Sequence, residues 1–243
     1  MNALALQQVQ NNKINRYRNN PEGLLKWVTK HLPNERVVMG TGFGPPGIVL
    51  LDMLFKVTRD ISVFYIDTGF FFDQTYDLKD KLQKKYGFEL LRISTDLTPE
   101  MQEDQYGEKL WEKDPDSCCN IRKVLPLKDT LKNYDVWITG IRKKQTEVRN
   151  QSNLIEFESR FEVIKINPLI NWTHVEVWDY IKTHNLPYNP LHDRNYPSIG
   201  CQQCTSPVCL GEDDRSGRWK GSHKTECGLH DSDKITINRF KGK

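Results

Sequence analysis

The chain has 243 residues, 37% of them hydrophobic and 28% charged, and carries a net charge of +3. That length suits one large domain that buries its own core without disulfide staples. The net charge is too small to argue for nucleic acid by itself, and no run is apolar enough to span a bilayer, because the stretch 48–51 is cut off by Asp52.

The opening MNALALQQVQNNK lacks a basic start, a long apolar stretch and a cleavage site, so a cytoplasmic protein is expected. Structural disulfides are rare in that compartment. The six cysteines then point to metal or redox chemistry rather than to a disulfide framework.

In chain order, residues 1–19 are polar and read as a flexible N-terminus. Asn20-Pro21 starts a helix, with Asn as N-cap and Leu24, Leu25, Trp27 and Val28 on its apolar face. Residues 36–39 read as a strand, 47–56 as a helix and 61–66 as a second strand. Asp73 is expected to cap a helix that buries Leu78 and Leu82 and ends at Gly87. Strands follow at 90–93, 136–139 and 161–166, with a helical segment at 118–131 on both sides of Pro126. Thr173 and Glu176 form a capping box that opens a helix to about His184. After Pro187 periodicity gives way to Pro, Gly, Cys and charge, the texture of a loop-rich segment around a metal site.

Strands alternating with helices predict an α/β fold with a parallel sheet covered on both faces. Ligands of such sheets bind at the carboxyl ends of the strands. The loops to inspect are therefore 40–47, 67–73, 94–96 and 140–150. In the first, Thr41, Gly42, Phe43 and Gly44 offer small residues and backbone N–H groups ahead of a helix, which suits a phosphate or sulfate, although Pro45 and Pro46 remove two donors.

Cys118 and Cys119 are adjacent, and Cys201 and Cys204 form a C-x-x-C pair. Four thiolates are the complement of a zinc or an iron–sulfur site. Adjacent cysteines chelate one atom awkwardly but can each take a different iron of a cubane, which favours the cluster. The plain alternative for Cys118 and Cys119 is two small buried residues on a helix. Cys227, with His223, Lys224 and His230 nearby, is either a thiolate nucleophile on an arm or an idle tail thiol. Cys209 is either a bystander or the thiol that resolves a mixed disulfide on Cys227.

Six segments in order, 66–69 (IDTG), 118–123 (CCNIRK), 140–149 (GIRKKQTEVR), 187–192 (PYNPLH), 200–205 (GCQQCT) and 226–230 (ECGLH), resemble the adenylyl-sulfate and phosphoadenylyl-sulfate reductase family along nearly the whole chain. The resemblance implies an adenine nucleotide alpha-hydrolase-like, Rossmann-like fold, with nucleotide binding in 20–186. Residues 187–243 become the cluster-binding segment and catalytic arm of the same domain. It implies that Cys227 is the nucleophile and that Cys118, Cys119, Cys201 and Cys204 hold a [4Fe-4S] cluster. The cluster-bearing branch acts on adenosine 5′-phosphosulfate, releasing sulfite and AMP through an S-sulfocysteine, with thioredoxin or glutaredoxin as reductant. Phosphoadenylyl-sulfate reduction, or use of both substrates, is the alternative.

The anionic substrate calls for Lys123, Arg142, Arg149, Arg215 and Arg218 as its holders. Asp67, Thr68 and Gly69 join Thr41, Gly42, Phe43 and Gly44 as expected substrate contacts, and His230 is expected to orient substrate or favour the Cys227 thiolate. The first loop departs from the family's Ser-rich version, and Cys209 lies outside its pattern. Neither nucleic acid nor membrane is an expected partner, while a homo-oligomer is compatible with the sequence. The rival readings are an iron–sulfur tRNA thiolase, which the 41–47 loop and small charge oppose, and a zinc-binding module, which leaves the Cys227 motif without a purpose.

Overall fold

The computed structural model describes residues 14–230. The readings of residues 1–13 and 231–243 lie outside the described residues, while Ile14–Tyr17 form a short 3₁₀ turn with Ile14 buried.

The expected parallel sheet is present. Strands β1 (Val37–Gly40), β2 (Ser62–Ile66), β3 (Leu91–Ile93), β4 (Val136–Ile138) and β6 (Val163–Ile166) pair in parallel, and β5 (Ile155–Glu158) joins antiparallel to β6. The order across the sheet is β3-β2-β1-β4-β6-β5. The strands wind outward from β1 toward one edge as far as β3 and then toward the other edge from β4, so the order of winding reverses between β1 and β4, which is where a doubly wound sheet opens a crevice for ligands.

Side chains alternate across this sheet with the period of two that strands impose. Val37 and Met39 of β1, Tyr65 of β2, Ile138 of β4 and Ile166 of β6 enter one core. Helices α1 (Pro21–His31), α2 (Pro45–Val57) and α9 (His174–Thr183) cover that face, through residues such as Leu24, Leu50 and Val177. Val38, Phe64, Trp137 and Val163 point the other way, onto Leu127 and Leu131 of α7 (Leu125–Leu131). Both faces are thus apolar, as the near-continuous Val and Ile runs demand.

Several helix ends follow the chemistry of their sequences. The Asn20 side chain accepts from the Gly23 N–H at 2.9 Å. The Thr173–Glu176 capping box closes in both directions. Helix α3 (Asp73–Tyr86) ends at Gly87 in the left-handed region, φ +62°. Its start differs from expectation: Asp73 is the first helical residue, and Phe72 occupies the cap. Helix α2 starts two residues before the expected 47, because Pro45 and Pro46 sit in the first turn, where a backbone N–H has no partner to lose.

Two regions were not foreseen. Residues 99–113 fold into α4 (Pro99–Tyr106) and α5 (Leu110–Lys113), and β5 is an extra edge strand. The segment from 115 is helical as expected but not uniform. Helix α6 (Pro115–Cys119) passes through a π turn (Asn120–Val124) into α7, and the Leu125 N–H reaches five residues back to the Asn120 carbonyl. Pro126 at the start of α7 has no N–H to donate, and the wide turn ahead of it is the kind of irregularity found at functional sites. Among the described residues no helix is long and apolar enough to cross a membrane.

Candidate active site

A cavity of about 570 Å³ opens at the crevice between β1 and β4. Thr41, Gly42, Gly44 and Gly47 line one wall, and Thr139, Gly140 and Arg142 after β4 line the other. The two loops are nearly in contact. A Cβ on Gly140 would lie 3.2 Å from the Gly47 nitrogen and from the Pro46 carbonyl group, so a side chain there would push the two loops apart by a few tenths of an ångström. Phe43 is not among the residues lining the cavity: at φ +59° its ring is buried 5.4 Å from the Tyr65 ring.

Asp67, Thr68 and Gly69 also lie outside the lining. The Asp67 carboxylate is buried and accepts from the Gly69 N–H at 3.0 Å, Tyr76 Oη at 2.8 Å and Arg92 Nε at 2.8 Å. The Thr68 hydroxyl stands 3.4 Å from Cys201 Sγ, and its carbonyl accepts from Arg122 at 2.8 Å. This segment therefore braces the cysteine region.

The expected cations converge. Lys123, Arg142, Arg149, Arg215 and Arg218 all line the cavity. Burial, with Arg149 close by, lowers the Arg142 pKa, and burial brings Arg215 to about 10. Among the described residues Nε of Arg142, Arg215 and Arg218 has no hydrogen-bond partner. Four arginines and Lys123 lining one cavity make a site for an anion with several oxygens.

Cys227 lines the same cavity from the arm and is half-buried. Burial alone would raise its thiol pKa, and Glu226 adds to that rise. Lys123, Arg149 and the Leu229 N–H outweigh both and hold it below the ordinary value. The depressing cations thus come from other elements and not from the sequence neighbours: His223 is exposed and Lys224 pairs with Asp116. The Gly228 φ of +79° belongs to the glycine-favoured region. His230 stacks on Trp137 with ring centroids 5.3 Å apart, and its Nδ1 lacks a partner among the described residues. Burial, reinforced by Lys165, Arg149, Arg160 and Arg215, pushes its pKa far down, so the ring is neutral at pH 7. A neutral imidazole can donate or accept a hydrogen bond but adds no charge to favour a thiolate.

A second, small cavity lies behind Lys123. Cys118, Cys119, Cys201 and Cys204 line it together, although some 80 residues of chain separate the pairs. Backbone pairing brings them together: Phe71 bridges Cys201, and the Gln202 N–H reaches the Phe70 carbonyl at 2.7 Å. Burial raises the Cys118 thiol pKa to about 11 and that of Cys204 to about 12, and the other cysteines reinforce the rise. Among the described residues no three His, Cys, Asp or Glu side chains are placed to hold one metal ion.

Arg122 went unmarked at the sequence level. It is buried and donates to Gln102 Oε1 at 2.6 Å, the Thr68 carbonyl at 2.8 Å and the Thr98 carbonyl at 3.0 Å. Glu226 and Lys165, both buried, were missed as well. Arg122 and Glu226 sit inside quoted motifs and Lys165 inside an apolar run, and only their tertiary partners reveal what they do. Cys209 is exposed on a separate loop, with its N–H on Glu212.

Residues 36–207 match the phosphoadenosine phosphosulfate reductase domain. The chain belongs to that family. Within this reductase family it is 43% identical over 226 residues to the adenosine 5′-phosphosulfate reductase of Halalkalibacterium halodurans, covering 92% of this chain and 97% of that protein. It is 45% identical over 213 residues to the enzyme of the same name from Salinibacter ruber, with 87% and 84% covered. The crystal structure of phosphoadenylyl-sulfate reductase from Candida auris, a phosphate complex, superposes with a TM-score of 0.69 at 32% identity, over 82% of this chain and 98% of that one. A Candida glabrata FMN adenylyltransferase bound to FMN and an ATP analogue reaches a TM-score of 0.58 at 16% identity, over 84% of this chain and 72% of that one, a likeness of fold alone.

Proposed function

We propose that this chain is an adenylyl-sulfate reductase that converts adenosine 5′-phosphosulfate to sulfite and AMP at the expense of a dithiol. The observation that carries the reading is a half-buried thiol, Cys227, held below its ordinary pKa by Lys123 and Arg149 at the rim of a glycine-walled cavity. The curated relatives at 43–45% identity bear this activity in their names.

The nucleotide lies in the cavity between the 41–44 and 139–142 loops. Arg142, Arg215 and Arg218, with Lys123, hold the phosphate and sulfonate oxygens and stabilise charge as it builds on the leaving phosphate. The Cys227 thiolate attacks the sulfonate sulfur. The S–O bond to phosphate breaks, AMP leaves with the electron pair, and Cys227 carries an S-sulfonate. A thiolate of thioredoxin, or of glutaredoxin, then attacks the Cys227 sulfur and expels sulfite with the bonding pair. The donor's second thiol breaks the mixed disulfide and restores Cys227. Two electrons thus pass from dithiol to substrate. An external dithiol is required because Cys209 lies exposed on another loop and the remaining thiols serve the second cavity.

The four thiols of that cavity fit a [4Fe-4S] cluster better than a zinc ion. They share one cavity without converging on one point, and a cubane takes each thiolate at a separate corner. Arg122 and Lys123 beside them offset the negative charge of four thiolates. Bound there, the cluster would fix an electrostatic scaffold next to Lys123, while thiols supply the electrons. Lys123 lines both cavities, and negative charge on the sulfurs of Cys201, Cys119 and Cys227 favours its charged form against the cost of burial.

The test is sulfite release with reduced thioredoxin, run anaerobically on adenosine 5′-phosphosulfate and on its 3′-phosphorylated form. Turnover of the first well above the second supports the assignment. Turnover of the second alone moves the chain to the phosphoadenylyl-sulfate reading. Turnover of neither by protein with its full iron content contradicts both.

A further inference from the structure

The segment that carries Cys227 is gripped from two sides, and the stronger grip is one the reaction above does not use. The Glu226 side chain is 0% exposed. Its carboxylate accepts from Arg149 Nε at 3.0 Å and Nη2 at 2.9 Å, from Thr146 Oγ1 at 2.9 Å and from Arg215 Nη2 at 3.3 Å. Thr146 caps α8 (Glu147–Asn150), which also carries Arg149, whereas Arg215 belongs to a loop near the end of the described chain. One carboxylate therefore ties the arm to two separate pieces of the fold. From the other side Arg160 donates to the Gly228 carbonyl at 2.7 Å and the Leu229 carbonyl at 3.2 Å, and Glu158 of β5 holds Arg160 at 3.0 Å.

Arg149 and Arg215 also line the nucleotide cavity, so both answer to two anions: Glu226 and whatever fills that cavity. The charge of Glu226 works against its neighbour, because a carboxylate beside a thiol disfavours the thiolate. A residue chosen only to activate Cys227 would not be acidic. Placement is what Glu226 contributes.

We propose that Glu226 is a positioning residue, an ion-pair latch that fixes the Cys227 sulfur at the cavity and competes with the bound anion for Arg149 and Arg215. The inference rests on the reading of Cys227 as the nucleophile. Removing the charge has two opposed consequences. The arm loosens, so Cys227 becomes more open to reagents and transfers sulfonate less well. The arginines are freed, so an anion in the cavity binds as well as before or better. General loss of structure produces no such pair.

The experiment compares full-length, cluster-loaded wild type with Glu226→Gln and Glu226→Asp. Three quantities are read: Cys227 alkylation by iodoacetamide, single-turnover transfer of labelled sulfonate to Cys227, and AMP affinity by calorimetry. Alkylation is compared on its high-pH plateau, where the thiolate is complete in every variant and only access differs. A charge-assisted contact of this kind is worth about tenfold or more, so Glu226→Gln should alkylate about tenfold faster and transfer label about tenfold slower. Its AMP affinity should equal or exceed wild type, and Glu226→Asp, which keeps the charge on a shorter stem, should fall between. If Glu226→Gln does not fold, Glu226→Asp is read on the same three measures. Plateau alkylation and transfer at wild-type rates overturn the latch, as does AMP binding lost in step with transfer. Absence of label even on wild type defeats the reaction assigned to Cys227, while the alkylation ratio still decides the latch.

Discussion

Lys123 stands where the two cavities meet, four residues after Cys119 and within electrostatic reach of Cys227. Its removal should affect both the nucleophile and the charge on the leaving group. The Cys227 thiolate is the reactive form, present above the thiol pKa and lost as pH falls through it. Lys123 lowers that pKa. Lys123→Ala should therefore displace the pH profile of Cys227 alkylation to higher pH, and an unmoved profile would contradict the role. Loss of one preorganised donor at such a site costs roughly 10²–10³-fold in rate, so label transfer in single turnover should fall by that order while iron content is retained. At the same scale, sequence made Cys227, Lys123 and the arginines legible, because a thiol and cations are what the chemistry of an anionic substrate calls for. It hid Glu226 and Arg122, whose importance lies in partners 77 and 54 residues away. It also misjudged the cations around Cys227, which come through space and not along the chain.

At the scale of elements, the site depends on how closely two loops approach. Gly140 faces backbone atoms of Pro46 and Gly47 at 3.2 Å, and backbone cannot swing aside as a side chain can. Gly140→Ala should cost roughly 1–3 kcal/mol from overpacking and weaken AMP binding, as denaturant melts and calorimetry would report. The loop after β2 has a different task. Burial favours the neutral form of Asp67, but the Gly69 N–H, Arg92 and Tyr76 outweigh it and hold the carboxylate below its ordinary pKa. The stability from such a group is complete above the unfolded pKa of about 3.9 and is lost as pH falls through the lower folded value. Asp67→Asn should lower stability by roughly 1–3 kcal/mol at neutral pH, less any part owed to the exposed Arg92, and the gap should close in acid. A gap independent of pH would mean that packing, not charge, sets the effect. The alternating strands and caps were readable because their periodicity and end residues are local signals. β5 was not, since Ile155–Glu158 alternates with glutamates that read as surface. Those glutamates neutralise Lys165, 3% exposed on β6, at 3.0 Å and 3.8 Å.

Over the whole molecule, the fold joins two sites that sequence could place only in order. The change of winding order between β1 and β4 positions the nucleotide cavity, and the segment after α9 crosses back so that Cys201 and Cys204 meet Cys118 and Cys119. Burial raises the Cys118, Cys119 and Cys204 thiols and so opposes their deprotonation, but the binding free energy of a cluster counts toward folding, so cluster loss should destabilise the protein. Cys201→Ala should lose its iron, its visible absorption and several degrees of melting temperature; full iron retention would remove Cys201 from the ligand set. Zinc in place of iron after anaerobic preparation would favour the metal-module reading. The central claim, that Cys227 accepts the sulfonate, is tested most directly by one anaerobic turnover of sulfur-labelled adenosine 5′-phosphosulfate on wild type and Cys227→Ser. Label held by wild type, absent from the serine variant and released as sulfite by reduced thioredoxin is the predicted result. Label on neither protein, or equally on both, with iron content intact, would contradict it.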